Sequence, residues 1–212
     1  PNMDYYLSSK DFESPDGQQY YSERLIKFNE IATCNPQPKL PDNMNDYFTR
    51  KELNLPEDKN IYYCPMKNQK IHPDFDWAVR EILDRDKNAM IMFPKDSGTI
   101  ADKVKDRIKK HLGKKYYDRV YFHPWANNYG FLSLLHRSDV VIDTFHFGSG
   151  TTAYYIFSAD APAVTLPGAT TGGRVLNAVY KRMDITDLIA SDKEQYVQLA
   201  IKAANDKEFN QE

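Results

Sequence analysis

From Asn60 onward, short apolar runs alternate with stretches of helical period. Ile61–Cys64 reads as a strand. Asp74–Arg85 reads as an amphipathic helix with Phe75, Val79 and Ile82 on one face. Ala89–Phe93 is a second strand. Thr99–Leu112 follows as a helix whose Ile100, Val104, Ile108 and Leu112 recur four apart, with Gly113 as its stop. Arg119–His123 is a third strand, Tyr129–Ser138 a short helix and Asp139–Asp143 a fourth strand. A helix is predicted to start near Thr151. Ala161–Gly168 carries a fifth strand, and Gly173–Met183 and Lys193–Ala204 are helices.

Residues 1–55 have a different texture, polar and rich in turn residues. Within them Tyr20–Phe28 reads as a short helix, and Cys34–Asn45, with three prolines, as an extended linker. Beyond them, strands that are apolar on both faces and alternate with helices imply a parallel sheet covered on both sides. With right-handed crossovers the expected class is α/β, a Rossmann-like doubly wound parallel sheet. Ligands in such sheets bind beyond the carboxyl ends of the strands. The loops after Cys64, Phe93, His123, Asp143 and Leu166 are therefore where chemistry is expected.

Composition narrows the picture. The 212 residues carry a formal net charge of −2, so no global basic field draws the chain to nucleic acid or an anionic membrane. Hydrophobic residues at 41% and charged residues at 27% are an ordinary globular balance. No apolar run approaches bilayer length, and no signal pattern opens the chain. It starts at Pro1 without an initiator Met, which predicts a processed or excised chain. The two cysteines, Cys34 and Cys64, form no CxxC pair and read as reduced thiols of a cytoplasmic protein. The five histidines are scattered, so no metal site and no cofactor are expected.

Four loops carry candidate chemistry. In HFGSGTTAYY (His146–Tyr155), Gly148 and Gly150 let backbone approach a ligand. Ser149, Thr151 and Thr152 add hydroxyls, and the helix start offers unpaired N–H groups and partial positive charge. Together these suit a diphosphate. The same residues equally fit a glycine-rich turn with Thr151 or Thr152 as helix N-cap. Lys70 ends the first loop, where it either reaches a phosphate as a point charge or stays solvated. His72, before Pro73, reads as a helix-entry residue, and Asp74 as the cap of the helix holding Trp77. In His123–Gly130, Trp125 either walls a ligand or packs under the loop, while backbone near Ala126 and Asn128 can read a base edge. Arg174 either completes the site or, the favoured expectation, pairs with a carboxylate within the fold.

Taken together, RVYFHPWANNYGFLSLLHRSDVVIDTFHFGSGTTAYYIFSADAPAVTLPGATTGGRV resembles the donor-binding lobe of the O-GlcNAc transferase family, glycosyltransferase family 41, including its bacterial relatives. The resemblance runs upstream through LNLPEDKNIYYCPMKNQKIHPDFDWAVREIL and downstream through LIASDKEQYVQLAIKAAND. NMDYYLSS resembles the end of that family's N-terminal lobe. The resemblance implies a GT-B architecture of two Rossmann-like lobes. It implies inverting transfer of a sugar from a nucleotide diphosphate donor, usually UDP-linked, to protein side chains, without a metal. Carried over by position, Lys70 is the catalytic contact to the leaving diphosphate, with Gln69 beside it. Gly148, Ser149, Gly150, Thr151 and Thr152 hold the same group at the helix start. Trp125, Ala126 and Asn128 lie toward the base, Tyr155 toward the ribose, and Arg174 is a further candidate.

The chain departs from the family at several of these positions. Gly150 stands where animal enzymes carry histidine. Tyr155 stands where the family normally carries the Asp or Glu that accepts the ribose hydroxyls. Asn128 replaces a basic residue and Asp160 a glycine. The resemblance also implies a fragment. Residues 1–55 would be the end of the N-terminal lobe and the inter-lobe linker, and 56–212 the nucleotide-sugar-binding lobe. The protein acceptor would be engaged through a missing lobe, and a C-terminal helix is missing beyond Glu212, so the fragment alone is expected to transfer no sugar. The rival expectation is a degenerate, non-catalytic lobe serving as a scaffold or interaction module. Tyr155 and the missing lobe favour it; Lys70, Thr151 and Thr152 oppose it.

Overall fold

The computed structural model describes residues 3–31, 35–43 and 46–209. Cys34, read above as a reduced thiol, lies outside them. Two strands come first, β1 (Tyr5–Ser9) and β2 (Arg24–Phe28), paired in parallel with Tyr5 opposite Arg24. This corrects the helix expected over Tyr20–Phe28. Tyr21, Leu25 and Phe28 do recur at helical spacing, but a helix that short is marginal alone. The neighbours Leu25 and Ile26, which point to opposite sides of a strand, are both half-buried in β2. Residues 35–43 form no regular element.

The main sheet has five strands: β3 (Asn60–Tyr63), β4 (Ala89–Pro94), β5 (Val120–His123), β6 (Val140–Ile142) and β7 (Ala163–Val164). All pairs are parallel, in the order β5-β4-β3-β6-β7. Such strands must be apolar on both faces, and Ile61, Tyr62, Ile91, Met92 and Val140 to Ile142 are all fully buried. The connecting helices are α1 (Pro73–Arg85), α2 (Thr99–Tyr117), α3 (Asn128–Arg137), α4 (Thr151–Ser158), α5 (Val175–Arg182) and α6 (Lys193–Asn205). α1 packs against α2 and α6, and α4 against α3 and α5, which gives a helical layer on each face. The fold is the Rossmann-like α/β lobe expected.

Two details of α2 differ from the pattern. Ile100 is 61% exposed, and Ala101 is buried in its place. A spacing of four advances 40° per step relative to the helical repeat, so a row of four such residues slides off the core face. Gly113 does interrupt the helix, with φ of 68°, but one more turn follows to Tyr117.

Strand numbering runs outward to β5 on one side of β3 and to β7 on the other. The order reverses between β3 and β6, and a crevice opens at such a switch point beyond the strand ends. The segment before β3 is fastened to this body. Tyr47 is buried and stacked on His136 at 4.5 Å, and Arg50 pairs with Asp139 at 2.7 Å. Buried Glu13 accepts from Ser8 Oγ (2.6 Å), Tyr21 Oη (2.9 Å) and Thr171 Oγ1 (3.0 Å), tying the β1–β2 ribbon to the loop after β7.

Candidate active site

Lys70 ends a short 3₁₀ turn, Asn68–Lys70, that follows β3. The loop His146–Gly150 follows β6. The switch point therefore brings these two segments together. Lys70 Nζ donates to the Gly148 carbonyl oxygen at 3.1 Å and lies 4.7 Å from the centroid of the Phe147 ring. Burial lowers the Lys70 ammonium pKa below its ordinary value, with the charge of Asp143 acting in the opposite sense.

Asp143, just beyond β6, shapes the loop from beneath. It is 3% exposed. Its Oδ1 accepts from the Ser149 N–H (2.8 Å) and Oγ (2.9 Å), and its Oδ2 from Thr165 Oγ1 (2.9 Å). Burial raises its pKa, against the pull of these bonds and of Lys70. A Cβ on Gly148 would lie 2.5 Å from Asp143 Oδ2, so no larger residue fits. The loop after β7 closes the other side. The Gly148 N–H donates to the Gly172 carbonyl at 2.9 Å, and a Cβ on Gly173 would stand 2.6 Å from the His146 carbonyl oxygen.

α4 begins directly at Thr151, with Gly150 in the cap position. Among the described residues no side chain caps it. The expected alternative of a Thr151 or Thr152 N-cap is thus not realised. The Ala153 N–H donates to the Gly150 carbonyl at 3.0 Å, and Thr151 is exposed. Gln69 is exposed and lines a cavity of about 350 Å³ with Lys70, His72, Phe145, His146 and Phe147.

Other expected residues stand farther out. Trp125 is 85% exposed, which excludes packing under its loop. Ala126 packs partly on the core and Asn128 is the exposed first residue of α3, whose Phe131 ring meets Tyr155 of α4 at 5.7 Å. Tyr155 thus turns against α3. Arg174 does not pair with a carboxylate among the described residues. It donates from Nη1 to the Gly168 carbonyl at 3.1 Å, and its Nε is buried without a partner. The glycine-rich turn offers the guanidinium a backbone carbonyl rather than an acid. Asp74 is not the cap of α1; the His72 Nδ1 accepts the Asp74 N–H at 3.2 Å, which makes His72 the cap. Asp74 instead meets His146 Nε2 (3.1 Å) and Lys193 Nζ (3.0 Å). Cys64 is fully buried and its thiol is pushed up to about 12 by burial, as an inert structural thiol requires.

Asp143, His146 and Phe147 carry no motif of their own and were not anticipated. The one sequence signal for Asp143 is an acid closing an apolar strand just before a Gly/Ser loop. His146 has φ of 68°, a backbone state uncommon outside glycine.

Residues 27–212 match the family model described as Glycosyl transferase family 41. A UDP-glucose:protein N-beta-glucosyltransferase of Actinobacillus pleuropneumoniae is 24% identical over 206 residues, covering 95% of this chain and 32% of that protein. A probable UDP-N-acetylglucosamine--peptide N-acetylglucosaminyltransferase SPINDLY of Petunia hybrida is 24% identical over 217 residues, covering 97% of this chain and 22% of that protein. The chain thus spans a third or less of these relatives. Among solved structures, a mutant O-GlcNAc transferase of Thermobaculum terrenum superposes with a TM-score of 0.80 at 18% identity, over 99% of this chain and 39% of the other. The likeness identifies the fold as a lobe of the GT-B type. Among the described residues no helix is long and apolar enough to cross a membrane.

Proposed function

Because the chain belongs to glycosyl transferase family 41, we propose that its five-stranded lobe binds the nucleotide diphosphate of a sugar donor, a UDP-sugar, for metal-independent transfer to protein side chains. In this reading residues 1–55 are the end of a preceding lobe and the linker, and 56–212 the donor lobe. The observation that carries it is the Lys70 ammonium held at the Gly148 carbonyl, beside the uncapped start of α4.

The chemistry follows from where charge develops. As the sugar leaves, negative charge grows on the distal phosphate of the diphosphate. A half-buried ammonium and the α4 amides stabilise that charge without reorganising. Each charge-assisted bond contributes about 1.5–3 kcal/mol. Gly150, beside which nothing lies within 4 Å of a Cβ, leaves room for the phosphate to approach the backbone, while Gly148 admits the Asp143 carboxylate that fixes the loop through Ser149. Trp125, Ala126 and Asn128 stand toward the base on the α3 side. The names of the relatives pair a UDP-sugar donor with a protein or peptide acceptor, which is the pairing proposed here.

A second reading has one observation in its favour. Tyr155, where the resemblance implies the ribose contact, packs its ring on Phe131 instead, as a lobe that has lost its donor and serves as a scaffold would permit. Calorimetric titration with UDP, GDP and their sugars separates the two. Saturable heat with UDP or a UDP-sugar supports the donor lobe; no heat from any of the four supports the scaffold.

A further inference from the structure

Beside the phosphate loop the fold gathers three side chains that the sequence scatters. The ligand-capable atoms of His72, Asp74 and His146 all lie within 4.8 Å of one another. His146 Nε2 is 3.1 Å from Asp74 Oδ2, and His72 Nδ1 is 3.7 Å from Asp74 Oδ1. The two imidazoles meet edge to face at 4.5 Å. We propose that His72, Asp74 and His146 form a binding site for a divalent transition-metal ion of the zinc class.

The chemistry of the donors argues for that class. Two imidazole nitrogens and one carboxylate oxygen suit zinc, nickel or copper, whereas magnesium and calcium take oxygen sets. Three protein ligands leave a coordination position open for water or an anion. The protonation states are close to those needed. His72 Nδ1 accepts the Asp74 N–H and so is unprotonated, and the metal takes its lone pair in place of that bond. On His146 the metal takes the place of the Nε2 proton now shared with Asp74, and that proton moves to Nδ1 of the neutral ring. His146 reaches this place through its left-handed backbone, with φ of 68°. A conformation that costs energy in an exposed loop is a feature that a bound ion would explain. The present neutraliser of Asp74 is Lys193, at 3.0 Å from Oδ2. The metal must displace it. His72 and His146 also line the cavity shared with Lys70.

The test uses the whole chain and metal alone, and so stands apart from the sugar-donor reading. Zn²⁺ is titrated calorimetrically and Co²⁺ by its visible absorption, with Mg²⁺ as the contrast. The expected result is one equivalent of Zn²⁺ bound, with cobalt bands to match and no Mg²⁺ binding. His146→Asn keeps a residue that tolerates positive φ, and His72→Asn keeps a helix-cap acceptor. Each should weaken Zn²⁺ by about tenfold or more with the metal-free melting temperature unchanged. Lys193→Ala should tighten it, a response that loose binding to scattered histidines would not give. Absence of a stoichiometric site, or two histidine variants that bind as tightly as the wild type, overturns the proposal.

Discussion

The Lys70 ammonium lies 3.1 Å from the Gly148 carbonyl oxygen, joining the loop after β3 to the loop after β6 across the switch point of the sheet. The bond uses one of three ammonium donors on the protein. It also fixes the height of the Gly148 backbone relative to the α4 amides. The pairing of these two loops is thus assembled by topology.

Lys70→Ala should weaken UDP binding by about tenfold to a hundredfold, the scale of one charge-assisted bond of ~1.5–3 kcal/mol. Isothermal calorimetry on the two proteins checks it. Equal affinities would remove Lys70 from the site.

Gly148→Ala should destabilise the fold and abolish nucleotide binding together, since its Cβ would lie 2.5 Å from Asp143 Oδ2. Overpacking of this kind costs about 1–3 kcal/mol. A thermal melt indistinguishable from wild type would contradict the account of this loop.

Tyr155→Phe should leave UDP affinity unchanged, because the ring packs on Phe131. Tyr155→Glu should tighten UDP by about 1–2 kcal/mol if a carboxylate there takes the ribose hydroxyls. A folded Glu variant that binds no better shows that Tyr155 does not stand in for the ribose acceptor.

Stability should fall on mild acidification through His123. Its Nδ1–H donates to the Pro124 carbonyl at 2.7 Å, and in the neutral form that burial favours its Nε2 accepts from Tyr63 Oη at 2.9 Å. Burial lowers its pKa, opposed by the Pro124 carbonyl and Asp96. In the unfolded chain a histidine titrates near about 6.5. Below that pH the unfolded state takes a proton that the folded state refuses, so stability is lost from there down to the lower folded value. His123→Gln keeps an acceptor for Tyr63 without the titration. Its melting temperature should drop less than that of the wild type between pH 7.5 and 5.5, chosen to bracket the unfolded value of about 6.5; parallel drops would clear His123.

The five strands and their helices were legible because buried parallel strands leave apolar runs that end at polar loops, as Ile61 to Cys64 and Val140 to Asp143 do. Lys70 and Gly148 to Thr152 were legible as loop chemistry at strand ends. β2 was not, because Tyr21, Leu25 and Phe28 satisfy a helical period and only pairing with β1 decides otherwise. Neither was the role of Asp143, which depends on contacts with Ser149 and Thr165 made only on folding. The His72 cap and the Asp74–His146 contact depend on loops distant in sequence.

The central claim is that this lobe holds a diphosphate through Lys70 and the start of α4. Paired titrations of UDP and UMP into the wild-type chain test it most directly, because the two ligands differ only in the distal phosphate. The account predicts saturable UDP binding and UMP weaker by about tenfold or more, the worth of one charge-assisted bond. UDP and UMP binding equally well, or neither binding at all, would contradict it.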